Sequence, residues 1–226
     1  MTLRKTGSFV LACLLVATLM VARPASAATA TETFTATGTS TLTDWTQILN
    51  LSQFNATLGT LQSVQLQIGT SLSTVITVTN TSTSASSGSV DTQVALTGVD
   101  PSNLISVVDN STSTNYSYNL AGGAQITSGT LTGSGFNAGT STAANVLAEF
   151  TGSGTIGIKT STFTQTYLAN TGGNTAAVQT TYAAPTATVI YTYSTVPTPE
   201  PAATWLFLGG FGGLLMFRRR QTSVQA

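Results

Sequence analysis

The sequence predicts an all-β protein, an antiparallel β-sandwich of about eight to ten strands, flanked by an N-terminal helix and a single C-terminal transmembrane helix. Two observations predict the sandwich. Short segments alternate apolar and polar residues with a period of two, and clusters of turn-forming residues recur between them about every ten residues. The residues between these segments show no helical periodicity, so we expect sheets to pack against each other without helices between them.

The alternating segments locate the strands, and threonine, valine, isoleucine and tyrosine dominate them, as is typical of β structure. The predicted strands are 64–68, 76–79, 94–96, 104–108, 116–120, 154–158 and 189–193. The predicted turns are 82–88, 109–114, 133–142 and 170–174. One region, 45–54, is expected to form a helical turn or two.

The composition excludes several kinds of chemistry. The chain has 226 residues, with 7 basic, 7 acidic and no histidine residues. Without histidine there is no Ser-His-Asp triad and no imidazole ligand, and we expect no enzymatic activity, cofactor or metal. So few lysines and arginines provide no phosphate-neutralising surface, which argues against nucleic acid as a partner. Threonine and serine together supply 70 residues, yet interspersed aromatic and branched residues favour a folded domain over a disordered tract.

The N-terminal residues 1–27 have the three parts of a secretory signal peptide. Its parts, in order, are Arg4 and Lys5, the apolar run 9–22, and an A-x-A site formed by Ala25 and Ala27 just before Ala28. Cleavage is therefore expected directly after the A-x-A site. The partners that this segment implies are the secretory translocon and signal peptidase.

Two alternatives to a signal peptide remain open. An uncleaved anchor helix would need about 20 apolar residues, more than this run provides. A lipoprotein would use Cys13, which lies well inside the apolar run. Because Cys13 is the only cysteine, cleavage of the signal peptide leaves a protein without a disulfide.

The C-terminus also has three parts. They are a proline-rich segment at 196–201, an apolar run at 202–217, and the arginines Arg218, Arg219 and Arg220. As a helix the apolar run is about 24 Å long, which is short for a membrane span. Trp205 at one end and snorkelling arginines at the other compensate for part of the missing length. Because positive residues stay on the cytoplasmic side, we expect 221–226 to form a cytoplasmic tail and the 28–195 domain to lie outside.

This C-terminal segment, 196–220, resembles the PEP-CTERM sorting signal of bacteria that make exopolysaccharide. The matching parts are Pro199, Glu200 and Pro201, followed by the apolar span and the arginine cluster. The resemblance implies that the partner is an exosortase, a membrane transpeptidase-like enzyme that cuts near the Pro-Glu-Pro. The catalytic residues then belong to the exosortase, and this chain is its substrate. The alternative is a permanent anchor helix, which could dimerise through its G-x-x-x-G pattern, although glycines weaken so short a helix.

The domain between the two ends carries a second resemblance. Trp45, then Phe54, then a Leu-Gly-Thr-Leu run around Gly59 are similar to the opening of the choice-of-anchor E domain. Residues 150–155 and 189–193 fit the same pattern. The family has no assigned activity. We expect Trp45 and Phe54 to anchor the core and Gly59 to be a turn residue with positive φ.

Exposed aromatic residues would indicate a different class of protein, a secreted carbohydrate-binding module. The candidates, for which core packing is the competing expectation, are Trp45, Tyr116, Tyr118, Tyr182, Tyr191 and Tyr193. In addition, threonines occupy every second position from Thr29 to Thr43. On one strand their hydroxyls would share a face, an arrangement that suits ice binding or simply an exposed surface.

The scattered acidic residues suggest two further alternatives. Four aspartates lack the spacing of a calcium-binding loop and would need the fold to assemble a site; they are Asp44, Asp91, Asp100 and Asp109. Glu32 and Glu149 would be a glycosidase pair only if the fold brought their carboxyl groups to about 5–10 Å.

The sequence therefore predicts a non-enzymatic, exported bacterial surface or extracellular-matrix protein. The precursor is expected in the inner membrane, and the processed form at the cell surface or outside the cell. Association with exopolysaccharide or a biofilm follows from the sorting-signal resemblance. The alternative is a secreted carbohydrate-binding module that uses exposed aromatic side chains.

Overall fold

The computed structural model describes residues 28–196; the expected N-terminal and C-terminal helices lie outside this range. The strands are β1 (Thr29–Thr37), β2 (Thr41–Leu42), β3 (Thr46–Ser52), β4 (Gly59–Asn80), β5 (Ser86–Val99), β6 (Ser106–Thr112), β7 (Tyr116–Leu120), β8 (Gln125–Thr127), β9 (Leu131–Ser141), β10 (Thr155–Gly172) and β11 (Thr175–Thr195). A 3-10 helix spans Ala56–Leu58, and a single short α-helix, α1, spans Ala144–Glu149 in the described part of the chain.

The strands form two antiparallel sheets, which confirms the all-β sandwich. Sheet A has the order β1-β11-β4-β8, with β2 also paired to β11 and β9 also paired to β4. Sheet B has the order β3-β10-β5-β6, with β7 also paired to β5. The described residues thus contain eleven strands rather than eight to ten. The excess arises because three edge positions are each filled by two short strands in succession.

The core lies between the sheets, where alternate residues of each strand point inward. Leu66 of β4 and Leu96 of β5 are fully buried there. At one end of the sandwich the core is aromatic: the ring of Tyr191 lies 5.7 Å from that of Phe54 and 6.3 Å from that of Phe150. Aromatic pairs at these separations add to the stabilisation that burial provides.

The three structural roles expected around the 3-10 helix are confirmed. Phe54 is fully buried, and Trp45 packs, partly buried, against the core. Gly59 has a φ of 153°, and a Cβ atom there would collide with the carbonyl oxygen of Ser194. Glycine is therefore required at the start of β4 for both conformational and steric reasons.

The expected helical turn at 45–54 is wrong. This region is β3, which pairs with β10 and buries Leu49 and Leu51 at a period of two. The intervening Ile48 and Asn50 are exposed. Alternation at this period is incompatible with one face of a helix, so the pairing with β10 decides the conformation.

The expected turn at 133–142 is also wrong, because this glycine-rich segment belongs to β9. Its inward-facing glycines lie against β6 of the opposite sheet. A Cβ atom at Gly135 would come within 2.8 Å of the Asp109 carboxylate, and one at Gly139 within 3.0 Å of Val107. The glycines therefore permit close approach of two backbones at this edge of the sandwich, a known use of glycine within strands.

The other predicted turns also need correction. Strand β6 continues to Thr112, so only the end of 109–114 is a turn, and Asp109 is buried, accepting a 2.8 Å hydrogen bond from Ser111. Strand β5 begins at Ser86, within the predicted turn 82–88. The turn at 170–174 is confirmed only at its end, because β10 continues to Gly172, which has a φ of 94°, and only Gly173 and Asn174 lie between β10 and β11.

The sequence did not predict α1, which connects β9 to β10. Its helix-forming residues, including Ala144, Leu147 and Glu149, have no side-chain N-cap. Gln53 attaches the helix to β3, since its amide donates to the Glu149 carbonyl at 2.8 Å and accepts from the Gly154 N–H at 3.3 Å. No helix within residues 28–196 is sufficiently long and apolar to cross a membrane.

Candidate functional site

Most of the residues assigned to sorting lie outside the described residues. These are Ala25 and Ala27 of the cleavage site, Pro199, Glu200 and Pro201 of the motif, and Arg218, Arg219 and Arg220. Ala28, the first described residue, is exposed immediately before β1. Its exposure is compatible with the predicted cleavage, which stays a prediction.

The proposed platform of six aromatic residues does not form. Tyr118 and Tyr191 are buried, and Trp45, Tyr116 and Tyr193 pack partly buried against the core. Core packing is therefore confirmed for five of the six candidates. The remaining residue, Tyr182, is 46% exposed on the outer face of sheet A.

The threonine series is divided between two strands. From Thr29 to Thr37 the threonines of β1 are exposed, and Thr35 is hydrogen-bonded to Thr188 of β11 at 2.9 Å. The series is interrupted after Thr37, where the chain leaves β11 before returning as β2. Pro185 of β11 explains the interruption, because it has no N–H to offer there, and its carbonyl accepts from Gly38 at 2.8 Å. The expected single face of eight threonines is therefore wrong.

A polar depression lies on the outer face of sheet A. It has a volume of about 550 Å³ and exposes hydroxyl groups of β4 and β9. The hydroxyl-bearing residues of these strands in its lining are Ser71, Ser73, Thr132 and Ser134. We call this set the hydroxyl trough. Ser71 pairs with Ser134, and Ser73 pairs with Thr132, so the four residues form two adjacent rows across the sheet.

Two exposed aromatic residues occupy neighbouring register positions beside the hydroxyl trough, although neither is part of its lining. Tyr182 of β11 pairs with Ser73 at one end. Phe136 of β9 pairs with Gly69 at the other end and is 76% exposed. The two strands approach closely here, since a Cβ atom at Gly69 would lie 3.0 Å from the carbonyl oxygen of Gly135 and 3.3 Å from the Cβ of Phe136. The two aromatics are separated by four residues along the strand direction, about 13 Å at 3.3 Å per residue.

A second depression of about 260 Å³ adjoins the hydroxyl trough and shares Ser71 with it. Its lining includes Phe136, Gln67, Thr186 and Thr188. The linings of both depressions consist of hydroxyl, amide, apolar and backbone groups, without an ionisable side chain from the described residues. Such a surface offers hydrogen bonds and stacking but no charge, which suits a neutral hydroxylated ligand.

Sheet B carries another pair of exposed aromatics, on the outer face of β10. Phe163 is 59% exposed and Tyr167 is 50% exposed. The Tyr167 hydroxyl lies 2.9 Å from Oε1 of Gln165 and 3.2 Å from Oε1 of Gln93. The one hydroxyl hydrogen of Tyr167 can be donated to either amide oxygen, and neither depression includes Phe163 or Tyr167 in its lining.

Sequence reasoning did not identify Phe136, Phe163 or Tyr167 as surface residues. Phe136 lies in the predicted turn 133–142, and Phe163 and Tyr167 lie outside the predicted strands, so the sequence assigned none of them to a sheet face. Register alone makes Phe163 and Tyr167 outward-facing. The sequence signal that could have identified them is their spacing of four within a run of threonine and glutamine.

The acidic residues lie in separate surroundings. Within residues 28–196 no group of three or more histidine, cysteine, aspartate or glutamate side chains is placed to hold a metal. Glu149 faces Asp100, whereas Glu32 lies on β1 near Tyr191, and the glycosidase pair stays a prediction. Burial, and next the neighbouring Asp100 carboxyl, raises the pKa of Glu149 above its usual range.

The comparisons with known proteins identify no family. No family model matches the chain, and no curated protein matches it. Among solved structures it is similar to that of infectious bursal disease virus Gx strain, with 11% identity and a TM-score of 0.20 over 80% of this chain and 40% of the viral chain. It is also similar to the VP2 subviral particle of that virus, with 11% identity and a TM-score of 0.18 over 87% and 47% of the two chains. The chain thus spans less than half the length of these viral chains, and the low TM-scores carry no argument about function.

Proposed function

We propose that this chain is a non-enzymatic, exported bacterial surface or extracellular-matrix protein whose C-terminal signal is processed by an exosortase. The order of a Pro-Glu-Pro motif at 199–201, an apolar span and three arginines carries the proposal. Arg218, Arg219 and Arg220 hold the precursor in the inner membrane with its domain outside. After processing, the domain is delivered to the cell surface or to extracellular polysaccharide.

The character of the described domain supports this proposal. The 28–196 region carries one basic residue, Lys159, and six acidic residues, so its surface is dominated by neutral hydroxyl and amide groups. A surface of this kind stays soluble among polysaccharide chains without attracting nucleic acid or anionic membrane. The domain also has its own core between two sheets, so its fold does not depend on the membrane segment.

Intact-mass measurement on protein from the culture medium and from membranes tests the sorting proposal. We expect the secreted form to begin at Ala28 and to lack everything beyond about residue 200. Full-length protein accumulating in the inner membrane, with none released, would falsify exosortase processing.

Glu200→Ala tests recognition through the motif. We expect this variant to accumulate as an unprocessed membrane form, while the domain keeps its fold as judged by protease resistance. Thr198→Ala, two residues away, is the matched control and should be processed normally. Normal release of the Glu200→Ala variant would contradict recognition through Pro-Glu-Pro.

A second candidate function, carbohydrate binding, is favoured by the hydroxyl trough. Phe136, in the adjoining depression, and Tyr182, beside Ser73 in the sheet, are exposed and available for stacking, and the four hydroxyl residues of the trough provide donors and acceptors. This combination fits a neutral polysaccharide segment, and it would allow the delivered domain to bind the matrix directly.

Co-sedimentation with the producing bacterium's extracellular polysaccharide and with insoluble cellulose tests the second candidate. Phe136→Ala and Tyr182→Ala should each weaken retention of the protein about fivefold to tenfold, as expected for loss of one aromatic contact. Phe163→Ala removes an exposed aromatic from sheet B and is the matched control. Loss of retention in the control alone would assign binding to sheet B and reject the trough.

A further inference from the structure

The edge of the sandwich that β1, β2 and β3 close is covered over only part of its length. Strand β3 pairs with β10 along 155–161, and beyond that stretch β10 continues to Gly172 paired with β5 alone. Strands β1 and β2 pair with β11 within 182–194, whereas 175–180 pair with β4 alone. Because β1 contacts β3 and β10 contacts β11, both uncovered stretches lie on the same side of the sandwich.

The crossover from β2 to β3 marks where the cover ends. The Thr162 N–H donates to the Trp45 carbonyl at 3.1 Å, and the Thr164 N–H donates to Oδ1 of Asp44 at 3.1 Å. Backbone groups of successive strand residues point to opposite edges, so the even-numbered residues of 166–170 direct theirs to this same side. No strand of the part of the chain that the structure describes pairs with them there. Their N–H and C=O groups are therefore available to a further strand.

The burial of inward-facing residues changes at the same point. In β10, Thr160 is fully buried, whereas Leu168, beyond the cover, is only half-buried. In β11, Thr181 is buried and Gln179, the next inward-facing residue along the open stretch, is half-buried. The inner layer is thus accessible from the side here, and an added edge strand would complete its burial.

This open edge has none of the features by which proteins prevent association between sheet edges. Natural edge strands carry charges, prolines or bulges that block pairing. Residues 160–184 contain no charged residue and no proline, and the pairing of β10 with β5 is regular throughout. Phe163 and Tyr167 add exposed aromatic surface on the outer face of the same strand. A second copy of the edge can therefore approach it without repulsion between like charges.

We propose that a second copy of this chain pairs its β10 with this edge, antiparallel and about a two-fold axis near Leu168. This register places Thr166 of each copy opposite Asn170 of the other, so that all the free backbone groups of 166–170 pair. Tyr167 lies diagonally across from its counterpart, a spacing at which aromatic side chains make contact. Asp44, at the end of the open edge, is about 26 Å along the strands from its counterpart, which is too far for repulsion at physiological salt.

The size of the edge determines how tight such a dimer can be. The uncovered stretches are about 20–26 Å long, and two sheets about 10 Å apart with side chains on both outer faces make the edge about 20 Å wide. Two copies bury on the order of 1,000 Å² between them, the lower limit for a specific interface. The dimer is therefore weak and depends on concentration. It is independent of the sorting proposal and of the hydroxyl trough, neither of which uses this edge.

Sedimentation velocity on the purified chain in mild detergent tests the dimer. A Gly209→Leu background removes the G-x-x-x-G pattern, the other route to a dimer. In that background we expect the dimer fraction to rise between about 1 and 200 μM. The amides of Thr166, Leu168 and Asn170 should gain protection from hydrogen exchange as it rises. A chain that stays monomeric over this range would overturn the proposal. A monomer in which these amides are already protected would show that another segment covers the edge, and would overturn it as well.

Two substitutions and their matched controls locate the interface. Thr166→Pro removes a donor that faces away from β5, so the pairing within the fold is kept while each copy loses a hydrogen bond in the dimer. Ala169→Lys places the positive charges of the two copies diagonally across the axis. Each should weaken dimerisation about tenfold to a hundredfold, whereas Thr166→Val and Ala169→Gln should leave it unchanged.

Protease resistance checks that each variant is folded, and Ala169→Lys, at an exposed position, decides the matter if Thr166→Pro does not fold. Equal dimerisation of the folded variants and their controls would place the contact elsewhere and reject the β10 edge.

Discussion

Threonine occupies several inward-facing positions, and each buried hydroxyl there needs a partner. Thr74 of β4 and Thr181 of β11 satisfy one another across the sheet, with their Oγ1 atoms 2.7 Å apart. Thr92 similarly donates to Gln179 at 2.6 Å. Thr70 and Thr164 are exceptions, because the Oγ1 of each is buried without a hydrogen bond, and Thr70 is the more deeply buried of the two.

Thr70→Val should therefore stabilise the protein. The substitution removes an unsatisfied buried hydroxyl and keeps the side-chain shape, so we expect the free energy of unfolding to rise by about 1 kcal/mol. Urea unfolding of the full-length chain measures the change. Thr74→Val is the matched control and should destabilise by about 1 kcal/mol, because it leaves Thr181 unpaired; stabilisation by both would contradict the reasoning.

Tyr191 should make the protein sensitive to alkali. Burial, and then the nearby Glu32 carboxylate, raises the pKa of Tyr191 far above its ordinary value of 10.0. The folded state retains a proton that the unfolded state loses, so stability is unaffected below about pH 10 and falls as the pH rises above it. Chemical unfolding measured between pH 8 and pH 11.5 should show this decline.

Tyr191→Phe separates the two effects of this residue. It should reduce the alkaline decline, while costing about 1 kcal/mol at neutral pH through loss of the 2.9 Å hydrogen bond to the Ser52 carbonyl. Tyr182→Phe, at an exposed position, should leave the decline as it is in the wild type. An identical pH profile for wild type and Tyr191→Phe would contradict the assignment.

Among individual residues, sequence reasoning succeeded where one residue type has one structural use. Phe54 and Gly59 were predicted correctly, because a large aromatic needs a core and a strained backbone needs glycine. Phe136 and Tyr167 were not identified, since the face on which a strand residue lies depends on register. The Asp100–Glu149 pair was beyond the sequence, because 49 positions separate residues that only folding brings together.

The inward-facing glycines of β9 lie where the two sheets contact each other and not in a turn, so replacing one of them should change the stability of the protein. A Cβ atom at Gly133 would collide with the carbonyl oxygen of Thr112 in the opposite sheet. Gly133→Ala should therefore push β9 away from β6 and destabilise the protein by about 2–3 kcal/mol in urea unfolding. Gly129→Ala, where a Cβ would have nothing within 4 Å, should change stability by less than about 0.5 kcal/mol.

The contrast between these elements shows what local pattern can predict. Segments of β4, β5 and β11 were predicted because their alternation of apolar and polar residues follows burial directly, although 64–68 and 76–79, predicted as two strands, are both parts of β4. The segment that became β9 has few apolar residues and many glycines, so its local preference indicated a turn. Its conformation comes from pairing with β4 over eleven residue pairs, which is a tertiary effect that no local pattern contains.

The two ends of the domain are neighbours in sheet A. Strand β1 pairs along its whole length with β11, and Thr29 lies opposite Ser194. Strand β11 in turn lies between β1 and β4. The sandwich class could be predicted from composition and spacing, but this pairing of the first strand with the last could not, because it depends on how the whole chain closes.

Removal of β11 should therefore abolish folding of the whole domain. A chain that ends at Asn174 lacks the strand that connects β1 to β4, and we expect it to be protease-sensitive and without a cooperative unfolding transition. A chain that ends at Thr198 keeps every described strand and should unfold cooperatively. Protease resistance and circular dichroism measure both, and a folded chain ending at Asn174 would contradict the importance of β11.

The pairing of the first strand with the last also determines when sheet A can be completed during synthesis. Until the final twenty or so residues of the domain have been synthesised, β1 has no partner and the sheet cannot close. A growing polypeptide of this design can therefore complete sheet A only after its last strand has been made, whereas the strands of sheet B all precede β11 and can pair earlier.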